Sequence, residues 1–175
     1  VGTTLPIPCP AGSYQTLLGQ NASSSCLPCD SGLFSPSLGS LSSLTCTSCV
    51  SGMFCPMGTP MASSCPAGTY SEIWNAAARS VCQNCPPGGY CPIGSQLPTY
   101  CIAGTFNGDA QQTDVSSCQN CTIGSFCEDK GSFIPSMCLA GSYSDQTSAS
   151  LCTLCPEGTY SGKYGSQTSS DCKIC

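Results

Sequence analysis

Cysteine is the residue whose spacing in this sequence most invites chemistry. Six times it stands as C-x2-C: Cys26/Cys29, Cys46/Cys49, Cys82/Cys85, Cys118/Cys121, Cys152/Cys155 and Cys172/Cys175. Such a pair is half of a four-cysteine zinc site, an oxidoreductase dithiol, or part of a disulfide framework. Zinc fits one stretch, Cys26-x2-Cys29-x16-Cys46-x2-Cys49. Against it, Cys55, Cys91 and Cys127 belong to no C-x2-C pair, and the sequence has no histidine. A redox dithiol needs one exposed cysteine of lowered pKa on a βαβ frame, which a tandem set of six pairs does not resemble.

Other chemistries find less support. Without histidine the usual Ser-His and Cys-His nucleophile arrangements are absent. The nearest carboxylate cluster, Glu128-Asp129, sits on a linker and reads as solvated surface. Asp109, Asp114, Glu128, Asp129 and Asp145 are too scattered to promise a calcium cage. We therefore expect no enzyme activity, no cofactor and no metal site.

The composition says what must position the cysteines. Of 175 residues, 19 are cysteine, a share typical of disulfide scaffolds. Large aliphatic residues never form a long run, so a single large core is out of reach and covalent staples must replace it. Only 7% of residues are charged, with a net charge of −5, and no basic patch exists to meet nucleic-acid phosphates. No apolar run approaches the roughly 18 residues that span a bilayer. With no signal peptide and no initiator Met, the chain reads as mature material or an excerpt.

Repetition organises the chain. The spacing C-x16-C-x2-C begins at Cys9, Cys29, Cys65, Cys101 and Cys155, and a shortened form begins at Cys138. It extends by x5-C after Cys29, Cys65 and Cys101. Over it runs C-x-x-G-x-[YF], nine times: CPAGSY at Cys9, CDSGLF at Cys29, CVSGMF at Cys49, CPAGTY at Cys65, CPPGGY at Cys85, CIAGTF at Cys101, CTIGSF at Cys121, CLAGSY at Cys138 and CPEGTY at Cys155. These motif cysteines are alternate cysteines along the chain, so each opens a unit and the next cysteine closes it. The expected pairs are Cys9–Cys26, Cys29–Cys46, Cys49–Cys55, Cys65–Cys82, Cys85–Cys91, Cys101–Cys118, Cys121–Cys127, Cys138–Cys152 and Cys155–Cys172, with Cys175 left over. Sequence alone does not fix connectivity. Each motif glycine is expected in a turn with φ > 0, and each motif aromatic is expected to pack on a disulfide as a small core.

A third pattern, Gly seven residues before Cys, appears in VGTTLPIPC, MGTPMASSC, IGSQLPTYC and KGSFIPSMC. Residues 1–8 then form the tail of a preceding repeat. Short repeats cover 9–28 and 155–174, long repeats 29–64, 65–100 and 101–137, and a shortened repeat 138–154. Cys175 would open another, so the chain reads as a window on a longer array. The expected fold is a small disulfide-rich one: an elongated tandem array of short β-hairpin and loop modules with little helix. Each module should touch mainly its neighbours, and the x2 segments should be stiff joints between modules. The one helix-tolerant stretch is SEIWNAAARS, residues 71–80.

The stretch from Cys65 to Pro92, CPAGTYSEIWNAAARSVCQNCPPGGYCP, resembles the ephrin-receptor-like cysteine-rich repeat, and the resemblance recurs along essentially the whole chain. It implies an extracellular, disulfide-bonded module of EGF-like size, serving as a stalk or adhesive element, with no active-site residues to carry over. The x5 loop and the shortened Cys138 repeat depart from that pattern. Asn21-Ala22-Ser23 and Asn120-Cys121-Thr122 are sequons for N-glycans, and Ser/Thr-rich spacers such as 35–45 and 168–170 suit O-glycans. Trp74, Tyr100, Phe133 and Tyr164 lie off the motif and are candidates for contact with a neighbouring chain or a glycan. We expect a secreted or cell-surface structural glycoprotein that self-associates into a fibre, appendage or matrix. The alternative is the stalk or ligand-binding module of a cell-surface receptor or adhesin.

Overall fold

The computed structural model describes residues 7–17 and 22–175. Among them the chain forms nine two-stranded sheets, each strand two residues long, and five three-residue 3-10 turns. Ser13–Tyr14 pairs with Leu27–Pro28, Leu33–Phe34 with Thr47–Ser48, Met53–Phe54 with Ser63–Ser64, and Thr69–Tyr70 with Gln83–Asn84. Gly89–Tyr90 pairs with Thr99–Tyr100, Thr105–Phe106 with Gln119–Asn120, Ser125–Phe126 with Ser136–Met137, Ser142–Tyr143 with Thr153–Leu154, and Thr159–Tyr160 with Lys173–Ile174. The fold is thus a tandem array of small disulfide-bonded β-hairpin modules. They group into two compact units: the described residues through Gln83 with Ile93–Leu97, and Asn84–Pro92 with Pro98–Cys175.

One rule builds every hairpin. The outgoing strand is the fifth and sixth residue of a C-x-x-G-x-[YF] motif, and the return strand is the two residues before the next motif cysteine. In six modules those two residues are the x2 of C-x2-C. They are therefore not joints between modules, as expected from the sequence, but half of a hairpin. A long repeat such as 29–64 holds two hairpins, opened by Cys29 and Cys49.

The turn chemistry explains the motif. Every motif glycine has a positive φ, from 77° at Gly158 to 87° at Gly32, a conformation that residues with a Cβ adopt only at a cost. The glycine carbonyl accepts the N–H of the next motif cysteine and so closes the hairpin, as in Cys29 to Gly12 at 2.8 Å and Cys121 to Gly104 at 3.0 Å. Cys175 does the same to Gly158 at 3.0 Å. A Ser or Thr at the fifth position returns its hydroxyl to the carbonyl three residues back, as Thr69 does to Pro66 at 2.6 Å and Thr105 to Ile102 at 2.7 Å. The 3-10 turns precede closing cysteines, and three of the five are capped by a side chain, those after Ala22 and Ala78 being the exceptions. Ser42 Oγ accepts the Leu44 N–H at 3.2 Å, and Thr168 and Asp171 form a capping box.

The core is cysteine. The motif cysteines at 9, 29, 49, 65, 85, 101, 121 and 138 are at most 2% exposed. The motif aromatics are not a core: eight are half-buried and Tyr160 is 52% exposed. Two-residue strands do not make a sheet face wide enough to cover a ring. The stretch 71–80 is not helical either. Ser71 and Asn75 are both committed to other hairpins through their backbones, and Asn75 lies at φ 55°.

Modules also reach past their neighbours. A Cβ placed on Gly12, Gly32 or Gly52 would run into the carbonyl oxygen of Gly58, Asn75 or Gly94 respectively, each in the hairpin two places on. In the second unit the same holds for Gly88 with Gly131, Gly104 with Ser148, and Gly124 with Gly165. Hydrogen bonds run mainly between successive hairpins, and these close approaches extend the contacts one hairpin further. Gly141 and Gly158, which have no hairpin two places on among the described residues, would meet nothing within 4 Å.

This difference separates backbone strain from packing. Gly158→Ala should cost only the left-handed penalty, about 1–2 kcal/mol. Gly52→Ala adds a backbone collision and should cost about 3 kcal/mol or more. Guanidinium unfolding of both variants checks this; equal losses would show that the close approach is energetically idle.

Candidate functional site

The feature repeated most faithfully is the junction between successive hairpins, and backbone builds it. Take position 7 as the residue after the motif aromatic, and the corner as the left-handed residue in each loop. Within each unit, three hydrogen bonds join one hairpin to the next. The motif glycine N–H donates to the position 7 carbonyl of the next hairpin: Gly12 to Ser35 at 2.7 Å, Gly32 to Cys55 at 2.7 Å, Gly104 to Cys127 at 2.8 Å. The position 7 N–H donates to the carbonyl just after the next corner: Cys55 to Ala76 at 2.8 Å, Ser71 to Ser95 at 3.1 Å, Asn107 to Ser132 at 3.1 Å. The corner N–H donates back to the motif cysteine carbonyl: Asn75 to Cys49 at 2.8 Å, Gly131 to Cys101 at 2.8 Å, Gly165 to Cys138 at 2.7 Å.

The corners are Gly39, Gly58, Asn75, Gly94, Gln111, Gly131, Ser148 and Gly165. Together with the nine motif glycines they account for every left-handed residue among the described ones. Gly seven residues before Cys marks five of these eight corners in the sequence: Gly39, Gly58, Gly94, Gly131 and Gly165. Corners also pack on the residue before a motif cysteine two hairpins back, Gly58 on Pro28 and Gly131 on Tyr100. Tyr100 fills space on both sides, since a Cβ on Gly89 would lie 3.2 Å and one on Gly131 3.0 Å from its Cδ1. That explains Gly89, where most motifs carry a side chain opposite the return strand.

The cysteines pair as Cys9–Cys26, Cys29–Cys46, Cys49–Cys55, Cys65–Cys82, Cys85–Cys91, Cys101–Cys118, Cys121–Cys127, Cys138–Cys152 and Cys155–Cys172. Their Cα–Cα separations run from 5.6 Å to 6.2 Å, within the range a disulfide spans. Cys175 carries a free, exposed thiol. Nine disulfides place the chain in an oxidising setting. No helix among the described residues is long and apolar enough to cross a membrane.

Position 7 is the functional position that sequence reasoning missed. It is buried throughout: Gln15, Ser35, Cys55, Ser71, Cys91, Asn107, Cys127, Ser144 and Ser161. The signal was available, because Cys55, Cys91 and Cys127 align with those hydroxyls and amides six residues after a motif cysteine. A short-loop cysteine is thus a cysteine at position 7, bonded to its own motif cysteine. Polar occupants are satisfied unequally. Asn107 Nδ2 donates to the Gly89 carbonyl at 2.8 Å, and the Ser161 and Ser166 hydroxyls meet at 2.7 Å, whereas Ser35 Oγ has no partner.

The scattered acids do not converge. Among the described residues no group of three or more His, Cys, Asp or Glu could hold a metal ion. Asp114 and Asp171 instead serve the 3-10 turns. The Ser116 hydroxyl, then its N–H, hold the Asp114 carboxyl below its ordinary value of 3.8. The Gln167 N–H, then that of Thr168, do the same for Asp171. Asn21 lies outside the described residues, while Asn120 is exposed on a return strand. Of the off-motif aromatics, Trp74 is 61%, Phe133 57% and Tyr164 69% exposed, while Tyr100 is 40% exposed and packed as described.

Two expectations test this account. Asn107→Ala should cost about 1–3 kcal/mol by orphaning a buried carbonyl, while Ser35→Ala should be neutral or stabilising; paired thermal melts decide. Lowered carboxyl pKa values make the support from Asp114 and Asp171 complete above 3.8 and lost as pH falls through the folded values. An NMR pH titration should therefore show the Ser116 and Gln167 amides changing below 3.8, and a midpoint above it would contradict the capping role.

No protein-family model matches the chain, and no curated protein matches it. What the geometry establishes is a tandem, disulfide-rich array of two-stranded hairpin modules.

Proposed function

We propose that this chain is a structural segment of an extracellular fibre, appendage or matrix glycoprotein. One observation carries the reading. Within each of the two units, one hairpin joins the next through the same backbone groups, without a dedicated recognition side chain. A repeat of that kind supplies length and regular spacing. On this reading the chain has no catalytic role, and the motif likeness to ephrin-receptor-like repeats is a likeness of stalk-building material. N-glycans on Asn21 and Asn120, with O-glycans on the serine-rich loops, complete the surface.

A receptor or adhesin stalk is the second reading, favoured by the exposed Trp74, Phe133 and Tyr164, which suit a ligand contact. Electron microscopy of the native material separates the two. Polymers with a fixed axial repeat are expected for a fibre. Particles that stay monomeric at high protein concentration would leave the stalk as the better account.

A further inference from the structure

The nine disulfides fall into two classes by burial. The six long-loop bonds each have a closing cysteine that is half-buried: Cys26, Cys46, Cys82, Cys118, Cys152 and Cys172. Each of the five 3-10 turns leads into one of these, and exposed return-strand residues follow all six. The three short-loop bonds have no such side. Cys49, Cys55, Cys85, Cys91 and Cys121 are 0% exposed and Cys127 is 2% exposed.

The cause is the junction. A short-loop bond ends at position 7, whose N–H is committed to the next hairpin, as in Cys55 to Ala76 at 2.8 Å. Its carbonyl is taken by the hairpin before, as in Gly32 to Cys55 at 2.7 Å. Reaching that sulfur means parting hairpins. In five of the six long loops the closing cysteine hands its N–H to its own 3-10 turn, as in Cys26 to Ser23 at 3.1 Å and Cys118 to Val115 at 3.0 Å.

We propose that the six long-loop closing cysteines are the sites at which an external dithiol enters the array by thiol–disulfide exchange, while the three short-loop bonds are closed to it in the folded chain. A thiolate of the dithiol attacks the closing-cysteine sulfur. The intramolecular S–S bond breaks, and its electron pair leaves on the motif-cysteine sulfur, which takes up a proton. The second thiol of the dithiol then displaces the closing cysteine as thiolate and leaves as a cyclic disulfide. Two electrons pass from the dithiol to the protein bond. The hairpins stay joined after this step, because none of the junction hydrogen bonds runs through a closing cysteine of a long loop.

The test uses the Cys175→Ser chain, so that no free thiol starts internal exchange. Folded protein is treated with graded dithiothreitol, quenched with an alkylating agent and mapped by peptide mass spectrometry. Alkylation at the six long-loop pairs should run about tenfold or more ahead of the three short-loop pairs, since the latter wait for local opening. Cys155–Cys172 should be among the first, because both of its residues are half-buried. In concentrated guanidinium chloride the gap should collapse. Simultaneous alkylation in the folded chain would overturn the proposal. So would a gap that persists unchanged in denaturant, since that would trace the difference to loop size rather than burial.

Discussion

The structure depends on one residue with no side chain, held where a side chain cannot go. The motif glycine sits at positive φ, gives its carbonyl to the closing of its own hairpin, and gives its N–H to the next. At Gly12, Gly32, Gly52, Gly88, Gly104 and Gly124 its bare Cα face receives a carbonyl from the hairpin two places on. Three contacts in three directions converge on one Cα. Turn conformation, hairpin closure and stacking are therefore not separate properties of the module but consequences of the same atom being missing.

Around that point the chemistry is economical in side chains. Disulfides supply nearly all of the dry interior, and with either kind of partner the motif cysteine is buried, Cys155 excepted. A partner from position 7 and a partner from the end of a 3-10 turn lie at nearly the same distance, with Cα–Cα separations of 5.8 Å for Cys85–Cys91 and 5.7 Å for Cys65–Cys82. Long and short repeats are thus two ways of stapling one hairpin. The polar residues that replace cysteine at position 7 keep the backbone pairing and give up the covalent bond.

Much of this was legible in the sequence. Cysteine alternation carried the module count, the glycine carried the turn, and the absence of long apolar runs carried the smallness of the core. What was not legible has a physical reason. The return strand has no sequence signature, because two exposed residues such as Gln83–Asn84 or Thr47–Ser48 need only supply backbone. Corners escape when they are Asn75, Gln111 or Ser148, since polar residues tolerate left-handed backbone and leave no glycine to count. Contacts two hairpins apart are invisible to a pattern search, because one partner is a carbonyl and the other is an absent Cβ. The aromatics misled for the opposite reason: their regularity suggests a core, but a strand of two residues offers them only an edge.

Junctions made of backbone have an evolutionary consequence. A gene segment encoding one hairpin can be duplicated, lost or moved by unequal exchange, and the new neighbours will still find the donors and acceptors they require. The exceptions are the few places where a large side chain has intruded. Tyr100 beneath Gly131 and Met137 beside Gly165 tie the identity of one hairpin to that of the hairpin two places on. Such pairs must travel together, so an array of this kind should shuffle freely except across intervals bridged by a bulky residue and its matching glycine.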